Sequence, residues 1–214
     1  MMKCPRCGSK RTAPILYGMP AMNEEMARQL DNEELFFGGC CIFPAQPTHH
    51  CFACKKNFGT PPVLLKNDDE EDLRDIVKEI RFKVDYARRP LFPEIIITKK
   101  NDRIVLDVMP ASIDAFPIQR DMTAAEWNKL LNRLFCKLYL HEWKKRFTPD
   151  KGIVVSDGDS WDLTLKMTNG RIRTYRGENA YPPYWAELKT TFRPFFKECE
   201  EKKIRRSKDE ADNK

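Results

Sequence analysis

Two Cys-x-x-Cys pairs are the residues of this chain whose type and spacing most directly indicate a chemical role. The first pair is Cys4 and Cys7, followed by Gly8, and the second pair is Cys51 and Cys54. A structural zinc ion takes tetrahedral thiolate or imidazole ligands, which proteins commonly supply as two such pairs from separate parts of the chain. Gly8 suits the positive φ that the tight turn after the first pair favours. The sequence therefore predicts one zinc ion bound by Cys4, Cys7, Cys51 and Cys54.

Four further side chains are alternative ligands for the same ion. Cys40 and Cys41 lie between the two pairs, and His49 and His50 directly precede the second pair. In the other interpretation, one of these cysteines is a small buried apolar residue and the other faces out of a strand, while the histidines lie in a surface loop or hydrogen-bond to the ligands. A site closed by thiolates has no open coordination position, so the ion is expected to stabilise structure and not to activate water.

The segment between the pairs is longer than a minimal zinc ribbon needs. Residues 20–34 are predicted to form a short helix, because apolar side chains fall at helical spacing, namely Met22, Met26 and Leu30. We expect ribbon strands on either side of it at residues 13–17 and 35–43, with a bulge or a close backbone approach at Gly38 and Gly39. Closing this long loop through the metal would order it.

Alternating apolar and polar residues predict the sheet of the second half of the chain. Three strands are expected at residues 80–84, 94–98 and 103–109, which would form a meander. A hairpin is expected around Asn169-Gly170, because this dipeptide is a strong signal for a two-residue turn.

Two helices are predicted beside these strands. The first begins with a capping box at Thr123 and Glu126, and its apolar stripe is Trp127, Leu130, Leu131, Leu134 and Leu138. The second carries a stripe of Trp185, Leu188, Phe192 and Phe195. Pro194 is expected to bend or end it.

The hairpin offers a candidate site for nucleic acid. Its polar face is expected to carry a cationic strip formed by Lys166, Arg171 and Arg173, with the aromatic ring of Tyr175 nearby. Such a strip suits phosphates or unpaired bases. The alternative is an ordinary exposed sheet face, or a sheet edge that charge protects from further pairing.

An enzymatic alternative depends on clustered acidic and amide side chains near the same hairpin. Asp157, Asp159, Glu178 and Asn179 could bind a divalent metal ion for phosphodiester chemistry, as in a metal-dependent hydrolase or nuclease. The same residue types are also common in turns and caps for backbone reasons alone. The sequence therefore favours a binding protein and assigns no catalytic residue.

Length and composition set the domain organisation. The 214 residues leave room for one ordinary domain and a small accessory one. Prolines at 61 and 62 and an acidic run at 68–72 indicate a boundary. The expected units are a zinc-ribbon domain with a helical insertion at 1–60, a linker at 61–74, an α+β domain at 75–196 and a charged tail at 197–214. The predicted fold class is α+β, a small zinc ribbon followed by a mainly antiparallel sheet with two helices.

The net charge and the cysteine content bear on the binding partners and on the cellular compartment of the protein. The formal net charge is +6 and both signs are mixed along the chain, which permits nucleic-acid binding without requiring it. We expect no membrane span and no secretory signal, and therefore a cytoplasmic protein. In a reducing cytoplasm, the eight cysteines favour metal ligation over disulfides.

Two motifs in the second half carry a resemblance. Asp157-Gly158-Asp159-Ser160-Trp161, then Gly177-Glu178-Asn179-Ala180-Tyr181-Pro182 and a terminal helix, resemble segments of a widespread group of uncharacterised bacterial proteins. The cysteine-rich N-terminal part is similar to ribbons at the start of some of them, so the resemblance spans residues 1–196. It implies an α+β domain with a zinc ribbon in front and brings no known activity. The expected function is a zinc-containing binding or adaptor protein for a protein partner or nucleic acid.

Overall fold

The computed structural model describes residues 2–66, 69–85, 93–101, 103–110, 116–149 and 158–212. In these residues the chain forms a four-stranded sheet, a two-stranded hairpin and a seven-stranded sheet, together with four α-helices. Most strand pairs are antiparallel, and the cysteine-rich sheet precedes the larger one. The predicted α+β fold class is confirmed.

The N-terminal sheet lies beside both cysteine pairs. Its described strands lie in the order β2-β1-β3-β4, where β1 is Thr12–Leu16, β2 is Phe36–Phe37, β3 is His49–Cys51 and β4 is Lys56–Phe58. Cys4 and Cys7 precede β1, Cys51 ends β3, and Cys54 lies in the turn between β3 and β4. Strand β2 runs parallel to β1, and the other two pairs are antiparallel. Helix α1, Glu24–Asp31, connects β1 to β2 and begins at Asn23, whose side chain accepts the Met26 N–H.

The strand expected at residues 35–43 is much shorter than predicted. Only Phe36 and Phe37 pair with β1, after which Gly38 N donates to Leu16 O and Gly39 adopts a φ of +103°. This left-handed conformation turns the chain out of the sheet, and glycine adopts it without the steric cost of a side chain. The following residues, including Cys40 and Cys41, therefore leave the ladder.

Residues 61–74, expected to be a linker, contain regular structure. Strand β5, Val63–Lys66, pairs with β6, Asp69–Asp72, and helix α2, Leu73–Ile76, follows. The Asp72 side chain caps α2 by accepting the Arg74 N–H at 2.8 Å. Leu73 is 2% exposed and belongs to the core of the larger sheet. The domain boundaries themselves stay predictions.

The larger sheet has the described strand order β10-β9-β8-β7-β12-β13-β11. Its strands are β7 Val77–Asp85, β8 Glu94–Lys100, β9 Arg103–Met109, β10 Ile118–Met122, β11 Arg146–Phe147, β12 Ser160–Met167 and β13 Ile172–Glu178. Within this larger sheet, β11 and β13 are the only described strands that pair in parallel. The three-strand meander and the hairpin expected from the sequence both form, because alternate residues of each strand are buried.

Helices pack on the apolar face of this sheet. Helix α3, Ala124–Asn132, begins with the predicted capping box, and a π-helical turn, Arg133–Lys137, extends it. A 3₁₀ turn, Leu140–Glu142, follows. Helix α4, Trp185–Asp212, runs through Pro194 instead of ending there. Phe192 stacks on Phe82 of the sheet with ring centroids 4.5 Å apart.

The two motif segments pack against each other. The Trp161 Nε1–H donates to Ala180 O at 2.9 Å, and a Cβ on Gly177 would collide with both groups. A Cβ on Gly158 would likewise collide with the Asn179 side chain. Close packing of the two segments therefore requires both glycines.

Candidate metal centre

Four cysteine sulfurs converge at one end of the N-terminal sheet. The Sγ atoms of Cys4, Cys7, Cys51 and Cys54 all lie within 4.8 Å of one another. The Sγ–Sγ distance is 3.8 Å between Cys4 and Cys54 and 3.6 Å between Cys7 and Cys51. Two sulfurs bound to one tetrahedral ion at about 2.3 Å lie about 3.8 Å apart. The cluster therefore has the geometry to hold a metal ion.

The two cysteine pairs have the same local backbone conformation. Gly8 N donates to Cys4 O and Lys55 N donates to Cys51 O, which closes one turn around each pair. Gly8 has a φ of +78° and Lys55 a φ of +55°. Lys55 therefore adopts the left-handed conformation that the sequence would assign to glycine, at the small cost that a side chain brings.

Burial and hydrogen bonding shift the pKa values of Cys4, Cys51 and Cys54. Burial raises the pKa of Cys4 to about 12, although hydrogen bonds from the Cys7 and Arg6 backbone N–H groups lower it. Burial also raises the pKa of Cys54. Burial acts to raise the pKa of Cys51 as well, but hydrogen bonds to its sulfur from the Cys54 and Ala53 backbone N–H groups and from the Cys7 and Cys54 side chains together lower it. A bound cation would take the place of the protons on these sulfurs.

The alternative ligands do not join this cluster. The His50 ring stacks on Phe36 with centroids 3.7 Å apart, and its Nδ1 lies 2.6 Å from Asn57 Oδ1. His49 Nδ1 lies 2.9 Å from the Thr48 hydroxyl. The two remaining candidates, Cys40 and Cys41, are exposed. These histidines therefore have packing and hydrogen-bonding roles in the ribbon.

The buried side chain of Glu142 joins the C-terminal end of the ribbon to the larger domain. Glu142 Oε1 accepts the backbone N–H groups of Gly59 at 2.8 Å and Thr60 at 2.9 Å. His141 Nε2 lies 2.9 Å from Thr60 O. Glu142 is only 8% exposed, and its Oε2 has no hydrogen-bond partner within the described part of the chain. No sequence pattern predicts this role, because its partners are backbone groups distant along the chain.

The N-terminal end of the ribbon also makes hydrogen bonds to the larger domain. Lys3 Nζ donates to Pro183 O at 2.6 Å and to Glu187 Oε1 at 3.0 Å. Tyr184 donates its hydroxyl hydrogen to Lys3 O. Because Lys3 directly precedes Cys4, these contacts place the first cysteine pair against the start of α4.

Glu142→Gln is expected to flatten the pH dependence of stability. Burial raises the pKa of Glu142 above its ordinary value of 4.5, so the folded protein keeps a proton that the unfolded chain releases. The stability from this group is full below pH 4.5 and is lost as pH rises through the raised pKa. Glutamine retains the oxygen acceptor and cannot ionise. Urea unfolding from about pH 4 to about pH 8 should show the parent losing stability relative to the variant; equal slopes would contradict the assignment.

The cationic strip predicted for the hairpin does not form a single face. Arg173 and Tyr175 lie opposite buried leucines of β12, on the core side of the sheet, and Tyr175 is 3% exposed. Lys166 lies opposite Ile172 on the other side, because directly paired residues share a face. The prediction that one polar face collects Lys166, Arg171 and Arg173, with Tyr175 nearby, is therefore wrong. The nucleic-acid-binding role of these residues stays a prediction.

The sheet face that carries Lys166 has charges of both signs in register. Lys166 Nζ lies 2.8 Å from Glu79 Oε1, and Arg81 Nε lies 2.6 Å from Glu94 Oε1. Similar pairs join Arg103 to Asp121 and Arg176 to Asp162. A face with such alternating pairs does not present a continuous positive potential to phosphates.

The acidic residues expected to bind a catalytic metal do not form a described cluster. Asp157 lies outside the described residues. Asp159 accepts a hydrogen bond from the Tyr181 hydroxyl at 3.2 Å, and Asn179 has a φ of +49° in the turn after β13. Within the described residues, the four cysteines are the one group of three or more metal-ligating side chains. Turn formation therefore accounts for the described Asp159 and Asn179.

Among the described residues, no helix has the length and apolar character needed to cross a membrane. The chain matches no protein-family model, and comparison with curated proteins and with solved structures finds no match.

Proposed function

We propose that this protein is a binding protein without catalysis, whose ribbon folds around one structural zinc ion and presents an apolar surface to a protein partner. The observation that carries this proposal is the location of exposed apolar side chains. Of the nine large apolar residues exposed among the described residues, five lie in the segment between the cysteine pairs. We call these five the ribbon surface: Met19, Met22, Phe37, Ile42 and Phe43.

The fold brings two parts of this segment together, on either side of helix α1. Gly18 N donates to Gly39 O at 2.9 Å, and the Ile42 side chain lies against Gly18. Met19 and Ile42, which are 88% and 73% exposed, therefore lie on the same part of the ribbon. Helix α1, between them in sequence, buries none of its residues. Exposed apolar groups concentrated in this way are typical of protein interaction sites.

The chemistry of the ribbon surface favours a protein over a nucleic acid. Phenylalanine and methionine are enriched at protein interfaces, and methionine adapts to the shape of a partner. The charged sheet face, by contrast, pairs Lys166 with Glu79 and Arg81 with Glu94. Binding through the ribbon surface should therefore change little with added salt, whereas phosphate contacts would weaken steeply.

Zinc is the metal that fits this role best. Four thiolates in a tetrahedral arrangement are a common structural zinc site, and they leave no coordination position for water or substrate. The ion would then stabilise the ribbon that displays the apolar side chains. A reducing cytoplasm would keep the four sulfurs available, in keeping with the resemblance to uncharacterised bacterial proteins.

A capture experiment tests the partner surface. Zinc-loaded, full-length protein with Ile42→Ser and Phe43→Ser should lose the partner that the parent captures from its native cell, and the Kd for that purified partner should rise at least about tenfold. The matched control is Ile172→Ser, since Ile172 is 62% exposed on β13 of the other sheet. Retention of the partner by the ribbon variant, or capture of nucleic acid that salt abolishes, would contradict the proposal.

A further inference from the structure

Cys40 and Cys41 form a pair of thiols separate from the four-cysteine cluster. Both side chains are exposed, and their Sγ atoms lie 3.8 Å apart. Adjacent residues in a regular strand point to opposite faces, so this proximity depends on the irregular backbone that follows β2. The pair therefore arises from the way the chain leaves the sheet.

Hydrogen bonds to backbone groups hold the segment that carries the thiols. Gly38 N donates to Leu16 O at 2.8 Å, and Gly39 O accepts the Gly18 N–H at 2.9 Å. In addition, Gln46 Nε2 donates to Cys41 O at 3.1 Å. The segment is thus anchored to β1 and to its own loop. The two sulfurs remain open to solvent.

The spacing of the sulfurs matches that of a chelating pair. Two thiolates about 2.3 Å from one tetrahedral ion lie about 3.8 Å apart. The same 3.8 Å separates Cys4 and Cys54 in the four-cysteine cluster. We propose that Cys40 and Cys41 form a second site, in which two thiolates bind one soft, thiophilic ion. Soft ions such as Cu(I) select thiolate ligands, and two protein sulfurs leave positions for an exchangeable ligand.

Phenylarsine oxide is a suitable probe because trivalent arsenic is thiophilic and needs two sulfurs to form a stable ring. The two S–H bonds break and two S–As bonds form, while the oxide oxygen leaves as water with both protons. Arsenic stays trivalent, so the reaction needs no oxidant or reductant. A single thiol forms only one S–As bond, which excess monothiol displaces.

The experiment uses the full zinc-loaded chain, reduced and then freed of reductant, with one equivalent of phenylarsine oxide and excess glutathione. Intact mass should show one phenylarsenic group per chain, and elemental analysis of the same sample should show zinc retained. Cys40→Ser and Cys41→Ser should each weaken binding about 100-fold or more, because the second bond is intramolecular only when both thiols are present.

Cys136→Ser is the matched control, since Cys136 is partly buried with its sulfur 3.6 Å from Arg74 Nη1. This variant should bind the probe as the parent does. An adduct that persists in both the Cys40 and Cys41 variants, no adduct in the parent, or zinc loss in step with adduct formation would each overturn the site. A disulfide between the two residues that survives reduction would do the same.

This site does not depend on the proposed partner. Cys40→Ser and Cys41→Ser remove thiols, whereas Ile42→Ser and Phe43→Ser remove apolar surface and leave both thiols in place. A parent chain that binds the probe but shows no ribbon-dependent partner would support the thiol site and contradict the proposed function. The reverse result would contradict the thiol site alone.

Discussion

Replacing Cys4 with serine is expected to release the metal ion and unfold the ribbon while the larger domain stays folded. The buried apolar cluster of the ribbon consists of Cys4, Cys51 and Phe58, with Met2 and Cys54 packed at its edge. Three of these five residues are the proposed ligands. Structural zinc binding supplies about 10–16 kcal/mol in small zinc modules, which so small an apolar core cannot replace.

Elemental analysis of the zinc content measures the release of the ion. Amide hydrogen exchange, followed by NMR or mass spectrometry, shows which part of the chain unfolds. Amides of β1 and β3 should exchange freely in the Cys4→Ser and Cys54→Ser variants. Amides of β8 and β9 should keep their protection, because their side chains lie in a separate core. Cys136→Ser serves as control. Full zinc content in a Cys4 or Cys54 variant would show that the ligand assignment is wrong.

The cysteine cluster could be anticipated from sequence because metal ligation constrains both residue type and spacing. Each pair closes a tight turn, and two pairs supply the four ligands of one ion. The alternation of apolar and polar residues in β7 and β12 predicted these strands equally well, because one face of each strand is buried. The capping box at Thr123 depends only on residues three positions apart. These features depend on residues close together in the sequence, or on the fixed number of four ligands that one ion binds.

The junction between ribbon and sheet could not be anticipated. Glu142 accepts N–H groups from Gly59 and Thr60, which lie more than 80 positions earlier. Backbone donors carry no side-chain signal in a sequence. Only the fold, which brings the 3₁₀ turn against the end of β4, shows why a carboxylate is buried there.

The prediction of a cationic strip on the hairpin was wrong for a related reason. In a hairpin, the pairing register decides which residues share a face, and a shift of one position moves every side chain to the opposite face. Lys166 pairs with Ile172, so the even-numbered residues of β13 share its face and Arg173 and Tyr175 do not. A count of charges along a strand cannot replace knowledge of the register.

Trp161 and Gly177, two conspicuous residues of the motif segments, have a structural role in the larger domain. Trp161 is 1% exposed, donates to Ala180 O, and lies against Trp185 and Phe147 with ring centroids 5.2 Å and 5.7 Å away. Gly177 leaves room for this ring. The described residues of the two motifs, 158–161 and 177–182, are therefore parts of one packing unit at the start of α4.

Replacing Trp161 with alanine should accordingly destabilise the larger domain by about 3–5 kcal/mol, the range for removal of a large buried aromatic side chain. The loss combines the ring contacts, the cavity left behind, and the unpaired Ala180 carbonyl. Urea unfolding followed by far-UV circular dichroism measures it without relying on the fluorescence of the removed residue.

Trp161→Phe separates these contributions, because it keeps an aromatic ring and loses only the indole N–H and part of the volume. We expect a loss of about 1–2 kcal/mol, mostly from the unpaired carbonyl. Gly177→Ala should be as harmful as the alanine variant, since its Cβ would collide with Ala180 O and the Trp161 ring. If Trp161→Ala stayed within about 0.5 kcal/mol of the parent, the magnitude typical of a surface substitution, Trp161 could not be a core residue and its motif would again be a candidate site.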